Sequence, residues 1–146
     1  MRLKGHGYFE LRKKDGTVKE VWECDNLIVT TGKVQVAKLL NGVDATYFDT
    51  IAIGEGESGD EAVVGDTALV AEVERALASL SYEATAKAVF EKTFEFISGE
   101  AYEITEAGVF NSQSAGGDML DRFVFSAKSV DADTNLYVKI TITCSA

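Results

Sequence analysis

The sequence contains no proline, a single histidine and only two cysteines. The lack of proline excludes a proline-rich linker, and the thirteen glycines suit short strands joined by glycine turns. His6 lies among the first few residues, where chains are commonly mobile, so a Ser-His-Asp or Cys-His catalytic assembly is unfavourable. Cys24 and Cys144 match no zinc or redox spacing, and we expect two reduced thiols.

Long apolar runs and positive charge are also scarce. No run approaches the ~20 residues that a membrane-spanning helix needs, and the N-terminus lacks the pattern of a secretory signal. The chain has 24 acidic and 14 basic residues, a net charge of −10, which repels nucleic-acid phosphates and anionic lipid. We therefore expect folding in the cytoplasm, no cofactor, and no nucleic-acid or membrane partner.

Length and composition indicate one globular domain over residues 1–146. With 46% hydrophobic and 26% charged residues, the chain is typical of folded proteins and differs from disordered ones. Its length of 146 residues is near the commonest domain size. We predict a single β-rich domain, with residues 1–6 as a candidate flexible N-terminal arm.

Residue patterns predict a mainly β fold. Asp15-Gly16 between two β-prone runs indicates an opening hairpin, and alternating apolar residues predict roughly eight strands in all. A short amphipathic helix is expected from Lys33 to Asn41-Gly42, and residues 66–75 are either a second helix or an extended crossing segment. The pattern favours a β-sandwich or jelly-roll-like domain with one or two short helices. The apolar residues expected to bury the helix are Val34, Val36, Ala37, Leu39 and Leu40.

The segment Gly54-Glu55-Gly56-Glu57-Ser58-Gly59 satisfies the G-x-G-x-x-G pattern of dinucleotide-binding turns. Nucleotide binding is nevertheless unfavourable, because Asp60-Glu61 follows and four carboxylates would crowd a diphosphate. A solvated loop is the favoured interpretation, and a weak surface cation site stays open although the spacing does not match an EF-hand.

Paired carboxylates such as Glu103 and Glu106 could perform acid–base chemistry, but nothing in the sequence indicates that they converge. We therefore predict no catalytic, cofactor-binding or metal site, and a protein that is not an enzyme.

An ordered set of segments is more informative than any single motif. This order covers most of the chain and resembles small virion proteins of tailed bacteriophages, among them capsid decoration (cement) proteins and tail-fibre or other tail-associated proteins. The segments are Asn26-Leu27-Ile28-Val29, Thr31-Gly32, Lys38-Leu39-Leu40-Asn41-Gly42, Ile51-Ala52-Ile53-Gly54-Glu55-Gly56, Asp66-Thr67-Ala68-Leu69 with Glu72 and Arg75, Ile104-Thr105-Glu106-Ala107-Gly108-Val109-Phe110, and Leu120-Asp121-Arg122-Phe123.

The resemblance implies a structural role in the virion. A stand-alone chain of this length is more similar to a decoration protein, which would sit on the capsid surface as a homotrimer and bind the major capsid protein. Such a protein stabilises the mature lattice by mass action, by roughly 2.7 kcal/mol per site at a hundredfold excess over its Kd. The alternative is a tail-fibre or tail-adaptor protein involved in attachment, and a third class is a small carbohydrate-active β-sandwich hydrolase.

Three local expectations accompany this interpretation. Small residues at Glu106-Ala107-Gly108 would permit close approach of another backbone, and Asp66, Glu72 and Arg75 could form a local ion pair that fixes the crossing segment. If the N-terminal residues are an attachment arm, their deletion should weaken lattice binding without lowering thermal stability. The candidate capsid or oligomer contacts are Met1, Arg2, Leu3 and Lys4.

Overall fold

The computed structural model describes residues 1–57 and 60–146 and has two antiparallel five-stranded sheets that pack face to face. This architecture is a β-sandwich, so the predicted fold class is confirmed. The elements are β1 (Arg2–Lys13), β2 (Val18–Asp25), β3 (Leu27–Ile28), α1 (Thr30–Asn41), β4 (Thr50–Gly54), β5 (Glu72–Leu77), β6 (Ser79–Glu83), β7 (Lys87–Glu95), β8 (Ala101–Phe110), β9 (Met119–Asp131) and β10 (Thr134–Ser145).

The first sheet has the strand order β2-β1-β10-β7-β6. β1 and β2 form the hairpin predicted at Asp15-Gly16, where Gly16 has a φ of 93° that a residue without a Cβ adopts easily. β10 pairs with all twelve residues of β1 on one side and with β7 on the other. Side chains alternate between the two faces, so Phe9 and Leu136 are buried while their neighbours reach solvent.

The second sheet has the order β3-β9-β8-β4-β5 and is covered on both faces. Its inner face packs on the first sheet, whereas its outer face carries a small apolar cluster. Leu69, from the segment before β5, contributes to this outer cluster. Because both faces are covered, β4 is buried at every residue. The outer cluster consists of Val29, Ala52, Leu69, Phe110 and Met119.

The main core lies between the two sheets, and aromatic side chains from both of them meet there. Phe9 of β1 stacks on Trp22 of β2 at 5.3 Å between ring centroids. The same ring meets Phe123 of β9 edge-on at 6.0 Å and Phe125 at 4.9 Å. Burial of such large apolar surfaces is the main favourable contribution to folding, so this contact joins the two sheets into one domain.

Helix α1 ends as the sequence predicted, with Gly42 in the left-handed region at a φ of 74°. Its buried side differs from the expectation. Gly32 and Gln35 are buried, whereas Val34 and Leu40 are 48% and 74% exposed. The helix therefore presents apolar side chains to the surface. Among the described residues, no helix has the length and apolar character needed to cross a membrane.

Close packing against β9 explains this orientation of α1. A Cβ on Gly32 would lie 2.5 Å from the carbonyl oxygen of Leu120, so only glycine lets the helix approach the strand this closely. Gln35, one turn further along, donates from Nε2 to the carbonyl oxygen of Thr46 at 2.8 Å. These two contacts fix the helix face that points inward.

Residues 66–75 are not helical: residues 66–71 form an irregular segment with bends and residues 72–75 belong to β5, so the crossing segment is the alternative that forms. The backbone N–H groups of Val70 and Ala71 donate to the Glu106 carboxylate at 3.0 and 2.9 Å, and β5 begins at Glu72. The described chain thus has one helix and ten strands, against roughly eight strands expected. The strand that the residue pattern did not assign is β5, which begins inside the 66–75 stretch, and residues 77–96 form two strands, β6 and β7, rather than one bulged strand.

The N-terminal segment differs from the flexible arm that was expected. From Arg2 onward, residues 1–6 belong to β1 and pair with the end of β10, beginning with Arg2 opposite Ser145. The inward positions Gly5 and Gly7 are buried, as the alternation of β1 requires. Because a ladder of backbone hydrogen bonds holds the segment, only Met1 lies outside the strand.

Candidate functional site

A groove of about 690 Å³ opens between the start of β1, the turn from β2 to β3, and helix α1. This volume is within the range of typical ligand pockets, which are concave and mostly apolar. The apolar part of the groove lining is formed by Met1, Leu3, Leu27, Ile28, Val36, Ala37 and Leu40.

All four residues predicted as contacts, Met1, Arg2, Leu3 and Lys4, line this groove. Met1 is 78% exposed, and Leu3 packs partly against the main core. The structure therefore brings the four residues together with α1 at one concave surface. That they contact another protein stays a prediction.

The groove also carries a basic rim, formed by Arg2, Lys4 and Lys33. Asp25 is the one acidic side chain in its lining, and it accepts a hydrogen bond from His6 Nδ1 at 3.2 Å. Burial alone would lower the pKa of His6, but its contacts with Asp25 and Glu23 raise that pKa by more. Three basic side chains against one acid in the lining make the groove a basic region on a chain whose net charge is −10.

Behind the groove lies a buried carboxyl group, that of Asp121. Its Oδ2 accepts a hydrogen bond from Asn26 Nδ2 in the groove lining, and its Oδ1 accepts one from the Val109 N–H at 2.9 Å. Burial raises the pKa of Asp121 to about 7, although both hydrogen bonds act to lower it. Within the described chain, the buried Oδ1 of Asn26 has no hydrogen-bond partner.

A buried ionic cluster, formed by Glu106, Arg122 and Asp66, lies on the outer side of the second sheet. Arg122 donates from Nε and Nη2 to Glu106 Oε1 at 3.1 and 3.0 Å, and from Nη1 to Asp66 Oδ2 at 3.0 Å. The side chains of Glu106 and Arg122 are only 1% and 3% exposed. Because Glu106 also accepts the N–H groups of residues 70 and 71, the cluster fixes the crossing segment on the sheet.

The same carboxylate explains the first glycines of the G-x-G-x-x-G pattern. A Cβ on Gly54 would lie 2.6 Å from Glu106 Oε2, and a Cβ on Gly56 would lie 3.1 Å from it. At these two positions the absent side chains make room for Glu106 of the same chain. Ser58 and Gly59, which complete the pattern, lie outside the described residues.

Arg75 was expected to pair with Asp66 and Glu72, and the structure separates these two acids. Arg75 pairs with Glu72 at 2.7 Å, whereas Asp66 binds Arg122. Arg75 also donates to three carbonyl oxygens of the loop 111–118 and lies 4.0 Å above the ring of Phe110. Its role is to hold that loop against the sheet.

The other candidate groups do not converge. Glu103 is exposed and accepts a hydrogen bond from Ser129, while Glu106 is buried in the ionic cluster, so the two carboxylates have separate environments.

Both cysteines are free thiols. Burial, followed by nearby Asp25 and Asp121, raises the pKa of Cys24 to about 12. Residues 1–57 and 60–146 contain no group of three or more His, Cys, Asp or Glu side chains placed to hold a metal ion.

Sequence reasoning missed the wall of the groove that α1 supplies. Val34 and Leu40 were expected in the core because they recur at helical spacing, but both are exposed, and Leu40 lines the groove. Gly32 and Gln35 indicate the inward face of the helix, because they are three residues apart and share a face that has few large apolar side chains. A face of that kind suits close contact with a neighbouring backbone.

Comparisons of this chain with models of protein families, with curated proteins and with solved structures gave no match.

Proposed function

We propose that this protein is a virion component of a tailed bacteriophage, a decoration protein that binds the major capsid protein on the capsid surface. The observation that carries the proposal is the groove, because the residues expected to make the contact line it beside exposed apolar side chains of α1. Concave apolar surfaces with polar rims are typical of binding sites.

The segments that resemble virion proteins give the second support. Three of them supply Asp66, Glu106 and Arg122, which meet in the buried ionic cluster. A fourth supplies Gly54, whose small size admits the Glu106 carboxylate. The segments that carry the resemblance therefore supply residues of one buried cluster that holds the fold together. Which partner binds depends on the surface residues outside that cluster.

The mechanism that we propose is thermodynamic. A homotrimer on the outer face of the capsid would bind the mature lattice and leave earlier states unbound. It would stabilise each site by roughly 2.7 kcal/mol at a hundredfold excess over its Kd. A net charge of −10 favours solubility before assembly and repels packaged DNA.

The test uses capsids that lack this protein, to which fluorescently labelled protein is added before co-sedimentation. Leu40→Asp places a charge in the apolar lining, and Ile97→Asp is the matched control, because the two side chains are 74% and 71% exposed and Ile97 is outside the groove lining. We expect Leu40→Asp to weaken binding at least tenfold and Ile97→Asp to bind like the unaltered protein. Equal binding by both variants would contradict the role of the groove.

Electron cryomicroscopy of the source particle locates the protein. Density at regular positions over the capsid lattice supports the decoration role. Density confined to the tail would replace it with the tail-fibre or tail-adaptor alternative. Absence from the particle would contradict both.

A further inference from the structure

The first residues of β1 form an unpaired strand edge in the wall of the groove. β1 pairs with β10 along its whole length, but it pairs with β2 only from His6, opposite Asp25, to Arg12. Asn26 then leaves the sheet, and its N–H donates to the carbonyl oxygen of Gly5 at 3.3 Å. Within the described chain, no strand pairs with residues 2–4 on that side.

The unpaired backbone groups belong to Leu3. Alternate residues of a strand direct their N–H and C=O groups to the same side, and Gly5 directs its carbonyl away from β10, toward Asn26. Cys144, which is opposite Leu3, donates its own N–H away from β1, to Ala86 at 2.9 Å. Both observations indicate that the N–H and C=O of Leu3 point into the groove.

The two faces beside this edge differ in character. Leu3 is on the inward face of β1, the face of Phe9, and it packs with Val36 of α1 against the main core. Arg2 and Lys4 are on the outward face, because side chains alternate along the strand. A strand added at Leu3 would therefore have apolar neighbours on one face and basic neighbours on the other.

We propose that the groove binds an extended segment of a partner protein, with alternating aliphatic and acidic residues, as a strand added to β1 at Leu3. This inference takes the identity of the partner, the capsid protein, from the proposed function. The backbone of the segment pairs with the N–H and C=O of Leu3, as in other cases of strand addition. Its aliphatic side chains contact Val36, Ala37 and Leu40, and its carboxylates face Arg2 and Lys4.

The dimensions and charge of the site favour this occupant. The part of α1 that lines the groove runs from Lys33 to Leu40, about 12 Å, which matches a strand of about three to four residues. Charge complementarity selects an acidic segment, because the basic rim is a local exception on a chain with 24 acidic and 14 basic residues.

The test uses the isolated protein and a blocked, fluorescein-labelled peptide of alternating valine and glutamate. Peptide binding is followed by fluorescence anisotropy, and amide hydrogen exchange is followed by NMR. We expect saturable binding that weakens several-fold when salt is raised from about 0.05 to about 0.3 M. The Leu3 amide should gain protection from exchange on binding. The same peptide with N-methylated backbone amides should not bind, because it cannot pair with a strand edge.

Variants separate backbone pairing from side-chain contact. Leu3→Pro removes the N–H that points into the groove and leaves the pairing with β10, so binding should weaken about tenfold. Leu3→Val keeps the N–H and should lose much less affinity. Ile97→Asp, which is outside the groove, should bind the peptide as the unaltered protein does. If Leu3→Pro is unstable, protection of the Leu3 amide in the unaltered protein decides the question by itself.

Besides a failure of the peptide to bind, three outcomes with the isolated protein would overturn the inference. The first is peptide binding without added protection at Leu3, and the second is equal binding of the N-methylated peptide. The third is a Leu3 amide already protected in an oligomer of the free protein, which would assign the edge to a second copy of this chain. Peptide binding with no binding to capsids would contradict the proposed function alone, and capsid binding unaffected by Leu3→Pro would contradict this inference alone.

Discussion

Among the described residues, two carboxyl groups are fully buried, and they differ in what surrounds them. Glu106 faces the guanidinium of Arg122, whereas Asp121 meets neutral donors, the Val109 N–H and the Asn26 amide. A buried carboxyl group needs a positive partner or a proton. Glu106 has the partner, and Asp121 retains its proton up to about pH 7 because burial raises its pKa.

We expect Asp121→Asn to change how stability depends on pH. Between about pH 4 and the raised pKa, the unfolded chain releases the Asp121 proton while the folded chain keeps it. The contribution of Asp121 to the free energy of unfolding is thus complete below the unfolded pKa and is lost as pH rises through about 7. The asparagine side chain of the variant does not titrate, so the stability of the variant relative to the unaltered protein should increase with pH, by at most ~1.4 kcal/mol per unit.

Urea unfolding at several pH values measures this difference. Asp15→Asn is the control, because a hydrogen bond from the Thr17 N–H lowers the pKa of Asp15. The stability of this variant relative to the unaltered protein should therefore decrease, not increase, with pH. A relative stability of Asp121→Asn that stays constant with pH would contradict the raised pKa.

We expect Arg122→Met to be strongly destabilising. The variant leaves the Glu106 charge buried without its guanidinium partner, and breaking such a pair costs about 3–5 kcal/mol. Arg12→Met is the matched control, because the Arg12–Glu10 pair is partly solvated and should be worth about 1 kcal/mol or less. Chemical denaturation measures both, and similar losses in the two variants would contradict the structural role of the ionic cluster.

At the scale of elements, the position of α1 depends on one close approach to β9. Gly32 lies so near Leu120 that a Cβ would meet backbone atoms at 2.5 to 2.9 Å. Backbone atoms cannot move aside as a flexible side chain can. The packing of the helix, and with it one wall of the groove, thus depends on this glycine.

Gly32→Ala should therefore destabilise the protein, although intrinsic helix propensity favours alanine by about 1 kcal/mol. We expect a loss of about 1–3 kcal/mol in the free energy of unfolding, as for other overpacked sites. Gly65→Ala is the control, because a Cβ there meets nothing within 4 Å, and its stability should be unchanged or slightly higher. A more stable Gly32→Ala variant would show that the helix can shift away from β9.

At the scale of the whole molecule, the two sheets share one core. Trp22, the single tryptophan, lies 5.3 Å from Phe9 in the first sheet and 5.5 Å from Phe125 in the second. Its fluorescence therefore reports contact between the sheets, whereas far-UV circular dichroism reports the strands themselves.

We expect one cooperative unfolding transition, with the same urea midpoint by both signals. Neither sheet can keep its apolar face buried without the other. If Trp22 fluorescence changed at a lower urea concentration than circular dichroism, the sheets would separate before they unfold.

Deletion of residues 1–4 affects the stability of the whole molecule, and the structure changes the effect that we expect. As an arm, the segment was expected to be dispensable for stability. As part of β1, it pairs with the end of β10, so deletion removes backbone hydrogen bonds as well as one wall of the groove. Single substitutions such as Leu40→Asp are therefore the sharper test of binding.

The sequence by itself determined the features that depend on neighbouring residues. The hairpin at Asp15-Gly16, the helix end at Gly42 and the β class follow from turn geometry and from alternation, which act over a few residues. The four groove residues at the N-terminus were predicted as contacts on the hypothesis that they form an attachment arm, and not from the geometry of a site.

Only the tertiary structure decided which surfaces are buried and which are free. Residues 66–75 cross the sheet without forming a helix because the N–H groups of Val70 and Ala71 meet Glu106, about 35 residues later, and α1 turns Leu40 outward because Gly32 must meet Leu120. The start of β1 is held by the far end of the chain, through β10. Local patterns carry no information on such distant partners, so the groove, its basic rim and its unpaired edge emerge only when the chain is folded.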